Sequence, residues 1–279
     1  MALMQGSQTM EKQEIIADIG ANHMGNMDLA VVLVQRCAEA GVDTVKFQSW
    51  EAEALRKDFP NYDATYQRHK RTELSDRQHA DLLGACAAAG IGFLTTCFHP
   101  SRIPFLKSLG LKRIKVASPD CANIPFLEAL ASAFDSLIVS TGMTTDEELE
   151  RTLAWAKGRD VTFLHCVSLY PTPLDRVNLN RMLALRARGV SAGFSDHSLG
   201  TDAAKLALAL GASIVEKHVT ISRSLPGKDQ AMSTTIDEFA EIVRWRDLLP
   251  TLSGSANPPM TDEERQLRQI YVGKWAGGN

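Results

Sequence analysis

Residues 190–220 read VSAGFSDHSLGTDAAKLALALGASIVEKHVT. A short apolar run, VSAGFS, stops at a polar turn. Asp202 to Leu210 then carries apolar residues at helical spacing, Gly211 ends that stretch, and a β-branched run, SIVEKH, follows. This is one strand–helix–strand unit whose strands end in chemistry: His197 and His218 stand where the apolar runs stop, near the carboxylates Asp196 and Glu216. Imidazole nitrogen suits divalent transition metals, and two such ligands with open positions fit a catalytic ion better than a closed structural one. The competing reading is that each histidine only satisfies hydrogen bonds at a strand end.

Working outward, the unit repeats along the chain. EIIADI, TVKFQ, GFLTT, RIKVAS, SLIVST, VTFLHC, VSAGFS and SIVEKH read as eight strands. Asp28–Ala40, Ser75–Ala89, Ile103–Leu109, Ile124–Ala133, Thr145–Lys157, Arg181–Arg188, Asp202–Leu210 and Ile236–Leu249 read as helices. Ser75 to Gln78 fits a capping box, acids follow Thr144 and Thr145, and Gly41, Gly90, Gly110, Gly189 and Gly211 stand where left-handed caps belong. The fold class expected is α/β, a single-domain TIM (β/α)8 barrel. An open doubly wound sheet is disfavoured because no GxGxxG follows the first strand. Residues 1–13 read as an N-terminal extension, 14–249 as the barrel, and 250–279 as a linker (Pro250–Pro259) with a helix (Met260–Trp275) and tail. Trp50–Arg71, polar and aromatic, reads as a long loop over the barrel mouth.

The 279 residues, 44% of them hydrophobic, can bury a large core. A net charge of -3 gives no whole-chain field for nucleic acid or an anionic membrane, so a small-molecule partner is expected. No apolar run spans a bilayer and no signal core opens the chain, which points to a cytoplasmic protein. The five scattered cysteines form no CxxC pair and read as buried thiols.

Barrel active sites lie at the carboxyl ends of the strands, which here carry Asp18, Lys46, Thr96, Lys115, Ser140, His165, Ser195 and His218. Two lysines aimed into one mouth imply an anion, because a buried charge without a partner is unfavourable by several kcal/mol. Lys46 and Lys115 with Ser118, Ser140 and Thr96 form a phosphate cradle; the alternatives are structural ion pairs to Asp18 and Asp120, or a Schiff-base lysine. Asn22 and His23 are expected in the mouth, His165 as a site-lining donor and Cys166 as packing. His69, His79 and His99 are placed on surfaces, and Trp155, Trp245 and Trp275 in core or rim.

The strings IADIGANHMGN, VKFQ, KVASPD, VSTGM, LHCVSLYPTP, GFSDHSLGTDAAKLALALGASIVEKHVT and LPGKDQAMS, in this order, resemble the N-acetylneuraminate (sialic acid) synthase family from Ile15 to Trp245. That resemblance implies metal-dependent condensation of phosphoenolpyruvate with the open-chain form of an N-acetylhexosamine such as N-acetylmannosamine. The product is a 2-keto-3-deoxy sugar acid, and phosphate is released. It implies that Lys46, Lys115, Ser118 and Ser140 hold phosphoenolpyruvate with Thr96 and Ser195 beside it. His197 and His218 would ligate a divalent metal, Mn2+ first and Mg2+ or Co2+ as substitutes. Asp18 would activate the attacking water, and Gln48, Asp120, Tyr170 and Asp229 would stand near the metal or acceptor.

The departures gather on the acceptor side. Asp18 replaces a glutamate, Ser168 an asparagine, Pro119-Asp120 a Gly-Glu, and Lys228 and Gln230 a proline and a histidine. Members of the family usually continue into a small antifreeze-like domain that presents an arginine across a dimer. No such domain follows the barrel in this sequence, so Arg68, Lys70 and Arg71 are candidates to supply the charge, and a homodimer is left open. Rival readings are the same donor chemistry on a different aldehyde, a non-catalytic sugar-phosphate-binding barrel, and an aldolase or isomerase without phosphoenolpyruvate.

Overall fold

Strands buried on both faces need cover on each side, which a barrel provides from its interior and a helical layer. The computed structural model, which describes residues 12–275, realises this arrangement. In chain order the elements are β1 (Glu14–Asp18), α1 (Met27–Glu39), β2 (Thr44–Ser49), α2 (Tyr62–Thr72), α3 (Asp76–Ala89), β3 (Gly92–Cys97), α4 (Ile103–Ser108), β4 (Arg113–Val116), α5 (Ile124–Ala131), β5 (Ser136–Ser140), α6 (Asp146–Ala156), β6 (Val161–Cys166), α7 (Asn180–Ala187), β7 (Ser191–Asp196), α8 (Asp202–Ala209), β8 (Ile214–Thr220), β9 (Thr234–Thr235), α9 (Ile236–Ser253) and α10 (Asp262–Tyr271). Strands β1 to β8 pair in sequence order, all parallel, and β1 pairs with β8 to close the barrel. Two-residue β9 adds to the end of β8.

The side-chain period of two fixes which residues meet inside. Ile16, Leu94, Ile138, Leu164 and Ile214 form an apolar cluster of their own, separate from the larger core between strands and helices. Two residues further along the same strands stand Asp18, Thr96, Ser140, Cys166 and Glu216. The barrel is therefore plugged by hydrocarbon below and polar at its carboxyl mouth. Caps fall where the sequence predicts: Ser75 and Thr145 each close a capping box, and Gly41, Gly90, Gly110, Gly189 and Gly211 all have φ between +68 and +85°.

Several expectations are corrected. Tyr62–Thr72 is the helix α2 rather than a loop, and its Arg68, His69, Arg71 and Thr72 line a cavity together with Gln48. Helix α9 runs through Pro250 to Ser253, so the linker starts later than residue 250; the missing N–H of Pro250 is tolerated on an exposed last turn. The following helix is shorter than Met260–Trp275, and Trp275, 88% exposed, belongs to neither core nor rim. Trp155 and Trp245 do pack partly against the core. Most of the expected N-terminal extension, residues 1–11, and the tail 276–279 lie outside the described residues. All five cysteines are buried and unbridged.

Candidate active site

Strand register brings the site together. Asp18 is aligned with Lys46 on one side and His218 on the other, Gln48 with Thr96, Thr96 with Lys115, and Ser195 with Glu216. Lys46 Nζ lies 2.9 Å from Asp18 Oδ2 and 3.4 Å from Glu216 Oε1, and donates to Thr96 Oγ1 at 3.3 Å. Lys115 Nζ donates to Ser140 Oγ at 2.6 Å and to the Val116 carbonyl at 2.9 Å, and stands 3.9 Å from Glu216 Oε1. Ser195 Oγ donates to the same Glu216 oxygen at 3.1 Å. The floor is thus two ammoniums and two carboxylates, ringed by hydroxyls, with all four charges buried.

Glu216 is the member that sequence reasoning left out of the site. The alternative reading paired the lysines with Asp18 and Asp120: Lys46 does meet Asp18, but Asp120 sits in the turn after β4 and accepts from Asn123 Nδ2, and burial raises its carboxyl. The signal for Glu216 was available: it lies two residues before His218, hence on the same face of β8. Burial would push Glu216 up, but Lys115 and Lys46 outweigh it and hold the carboxyl well below the usual range. Burial likewise opposes the charge on Lys46, whose pKa is nevertheless raised by Asp18 and Glu216, whereas for Lys115 burial wins and lowers it.

The imidazoles of His197 and His218 face each other across β7 and β8, ring centroids 5.7 Å apart, with Tyr170 4.2 Å from the His197 ring. His197 Nδ1 is 3.0 Å from the Val167 carbonyl. That contact requires a proton on Nδ1 and leaves the Nε2 lone pair free, the tautomer a metal ligand needs. Burial lowers His218, against the raising effect of Asp18 and Asp229; burial would lower His197 too, but Cys166 and the Val167 carbonyl raise it. Among the described residues no group of three or more His, Cys, Asp or Glu converges on one point. The residues that could hold a divalent ion are the two imidazoles, which leave its other positions to water and substrate oxygens.

Four of the nine buried polar atoms without a hydrogen-bond partner among the described residues lie here: Asp18 Oδ1, Glu216 Oε2, Ser168 Oγ and His218 Nδ1. Each is unfavourable by about 1–3 kcal/mol while unpaired, so a ligand that bonds these atoms is favoured. Two glycines allow the approach. A side chain on Gly20 would crowd Gln48 Nε2, Asp18 Oδ1 and the His218 ring, and one on Gly142 would overlap Ser168 Oγ and Ser118 Oγ. Ser118 Oγ accepts from Gly142 N at 3.0 Å, which ties the ends of β4 and β5 together.

One pair of expectations is reversed. Leu164 points inward, so Cys166 does too, and its sulfur lies 3.8 Å from His197 Nδ1. His165 points into the outer layer, stacks on Phe194 and bonds the Val177 carbonyl at 2.7 Å, so it does not line the site. One further histidine placement changes. His79 is fully buried against Phe105, not on a surface, while His23 is fully buried, its Nδ1 accepting from Gly25 N. His99 is exposed as expected, and with half-buried His69 it lines a cavity. Asn22 does stand at the mouth, donating to the Val219 carbonyl and Ser233 Oγ.

That cavity, about 420 Å³, opens beside the mouth between the β1, β2 and β3 loops, α2, and the loop between β8 and β9. Gln48 and Asp229 line it, and Gln48 joins it to the catalytic floor through Gly20.

Comparison with known proteins agrees with this geometry. The NeuB family pattern matches residues 33–256. The N,N'-diacetyllegionaminic acid synthase of Legionella pneumophila is 35% identical over 92% of this chain and 77% of its own length. Human N-acetylneuraminate-9-phosphate synthase is 31% identical over 86% of this chain and 71% of its own. The crystal structure of an N-acetylneuraminic acid synthetase from Leptospira borgpetersenii, in complex with citrate, superposes with a TM-score of 0.85 at 29% identity, covering 96% of this chain and 94% of that one.

Proposed function

This chain belongs to the NeuB family, and from that membership we propose that it condenses phosphoenolpyruvate with an open-chain, N-acetylmannosamine-like aldose to form a 2-keto-3-deoxy sugar acid and phosphate. It is a carbon–carbon bond-forming synthase, with Mn2+ the divalent ion suited to His197 and His218. The observation that carries the reading is the pair of buried lysines under the mouth, with hydroxyls around them and the two free imidazoles above.

Lys46 and Lys115 bind the donor's anionic groups, sharing them with the hydroxyls of Thr96, Ser118, Ser140 and Ser195. A divalent ion on the two histidines would polarise the acceptor aldehyde as a Lewis acid. C3 of the enol then bonds to the aldehyde carbon, and the aldehyde oxygen takes up a proton. Asp18, whose Oδ1 has no protein partner, orients a water toward C2 and accepts its proton. The tetrahedral adduct at C2 collapses with cleavage of the C–O bond to phosphate, leaving the keto acid. Tyr170 packs against the His197 ring.

The test is phosphate release from phosphoenolpyruvate with Mn2+ across a panel of aldoses that includes N-acetylmannosamine and its amino and deoxy relatives. Release that depends on one aldose and on metal is the expected result. Absence of both release and calorimetric phosphoenolpyruvate binding overturns the reading.

A further inference from the structure

Three cations face the cavity beside the mouth without a counter-charge. Arg68 and Arg71 come from the last turns of α2 and Lys228 from the loop between β8 and β9. Among the described residues no carboxylate lies within ion-pair distance of any of them, whereas Lys70, between the arginines in sequence, turns away to Glu53 and Glu73. Two acids line the same cavity, Glu51 and Asp229. Glu51 is already committed, accepting from Ser101 Oγ at 2.8 Å and lying 3.6 Å from Arg102. Only Asp229 remains to set against three positive charges.

The arginines are mounted on a fixed element. Trp50 Nε1 donates to the His69 carbonyl at 3.2 Å, and its ring meets His69 edge-on at 5.1 Å. Gly25, at φ +80°, lets the β1 loop lie directly against the Arg71 carbonyl, where any side chain would collide. Apolar side chains also line the cavity, from Trp50, Leu55, Phe59 and Phe98. At about 420 Å³ the space exceeds what an aldehyde terminus needs and falls in the range of whole small-molecule sites. Gln48, across Gly20 from the His218 ring, lines this cavity with Asp229, so an acceptor whose aldehyde lay at the two histidines would extend into it.

We infer that the acceptor carries an anionic group, phosphate or carboxylate, on the end remote from its aldehyde, and that Arg68, Arg71 and Lys228 bind that group. The inference rests on the proposed condensing activity and deepens it: the lysines of the floor serve the donor, and this second cationic cluster serves the acceptor.

The experiment measures phosphate release with Mn2+, phosphoenolpyruvate and three acceptors: N-acetylmannosamine, its 6-phosphate, and the corresponding 6-carboxylate. The expected result is a kcat/KM for one of the anionic acceptors at least about tenfold above the neutral one, roughly what a single charge-assisted hydrogen bond supplies. Which of the two leads identifies the group. The KM of the anionic acceptor should rise with ionic strength, and the Arg68→Gln, Lys228→Gln double variant should bring the preference toward unity. Equal or better use of the neutral sugar overturns the inference while leaving the condensing activity standing. No release with any of the three overturns this inference, and absence of calorimetric phosphoenolpyruvate binding as well overturns the condensing activity with it.

Discussion

Lys115 is buried with its Nζ 3.9 Å from Glu216 Oε1 and 2.6 Å from Ser140 Oγ, so Lys115→Met removes half of the cationic floor without touching either imidazole. Losing one side of a buried, hydrogen-bonded charge contact is unfavourable by about 2–5 kcal/mol. The KM for phosphoenolpyruvate should rise about a hundredfold, with Mn2+ affinity by calorimetry nearly unchanged. A parallel loss of metal affinity would show that floor and imidazoles act as one site. Two other buried residues set a pH dependence of stability. Burial, first, lowers His23 and His79 from 6.5 to about 4. The unfolded chain therefore binds protons that the folded chain refuses between those values. Stability is full above about pH 6.5 and falls as pH drops toward 4, by ~3 kcal/mol for each ring. His79→Phe keeps the ring packed on Phe105, and the Ser75 carbonyl still accepts from the residue 79 amide. Thermal melts from pH 7 to 4 should lose about half their slope in this variant; an unchanged slope would assign the acid sensitivity to other groups.

At the scale of elements, the ends of β7 and β8 are locked from behind. Asp196 and Lys217 point away from the mouth, between the histidine-bearing positions. Lys217 Nζ lies 2.6 Å from Asp196 Oδ2 and 2.9 Å from the Ser198 carbonyl, while Ser198 N donates to Asp196 Oδ1 at 2.8 Å. The pair holds the backbone on which His197 and His218 stand. Lys217→Met leaves a buried carboxylate unpaired, about 3–5 kcal/mol, so the melting temperature should fall by roughly 10 °C and Mn2+ binding should weaken. Lys217→Arg should restore part of both. Unchanged metal affinity in a folded Met variant would reduce the pair to a purely structural role. Alternating strands and capped helices were legible in the sequence because burial on both faces and cap chemistry are local signals. The phase of β6 was not: taking the last histidine of the apolar run as the inward residue slips the pattern by one, and a one-residue slip exchanges Cys166 for His165. Helix α2 escaped notice because its exposed polar surface carries almost no apolar stripe, and its position is fixed instead by Trp50 and Gly25, contacts distant in sequence.

At the scale of the whole molecule, stability and chemistry reside in the barrel and not in the C-terminal segment beyond it. The main core joins β1 through β8 to helices that end with α9, whose Phe239, Ile242, Val243 and Leu249 are its last contributions. Arg246, also on α9, ties that helix to Asp43 before β2 and so fastens the last turn of the barrel to the first. Beyond α9 every described residue is exposed, and α10 is held by its own capping box and the local Arg265–Asp262 pair. An exposed helix of this length gains little from its backbone alone. Deleting residues 255–279 should therefore shift the melting temperature by no more than about 2 °C, since one kcal/mol corresponds to roughly 2–4 °C for a domain of this size. Phosphoenolpyruvate-dependent turnover should persist. The deleted segment also carries Leu267, Ile270, Tyr271 and Trp275, all more than half exposed, so the shortened chain should self-associate less at high concentration by light scattering. A fall of about 10 °C, or loss of turnover with the fold intact, would mean that this segment packs on a barrel in solution and contributes to the site.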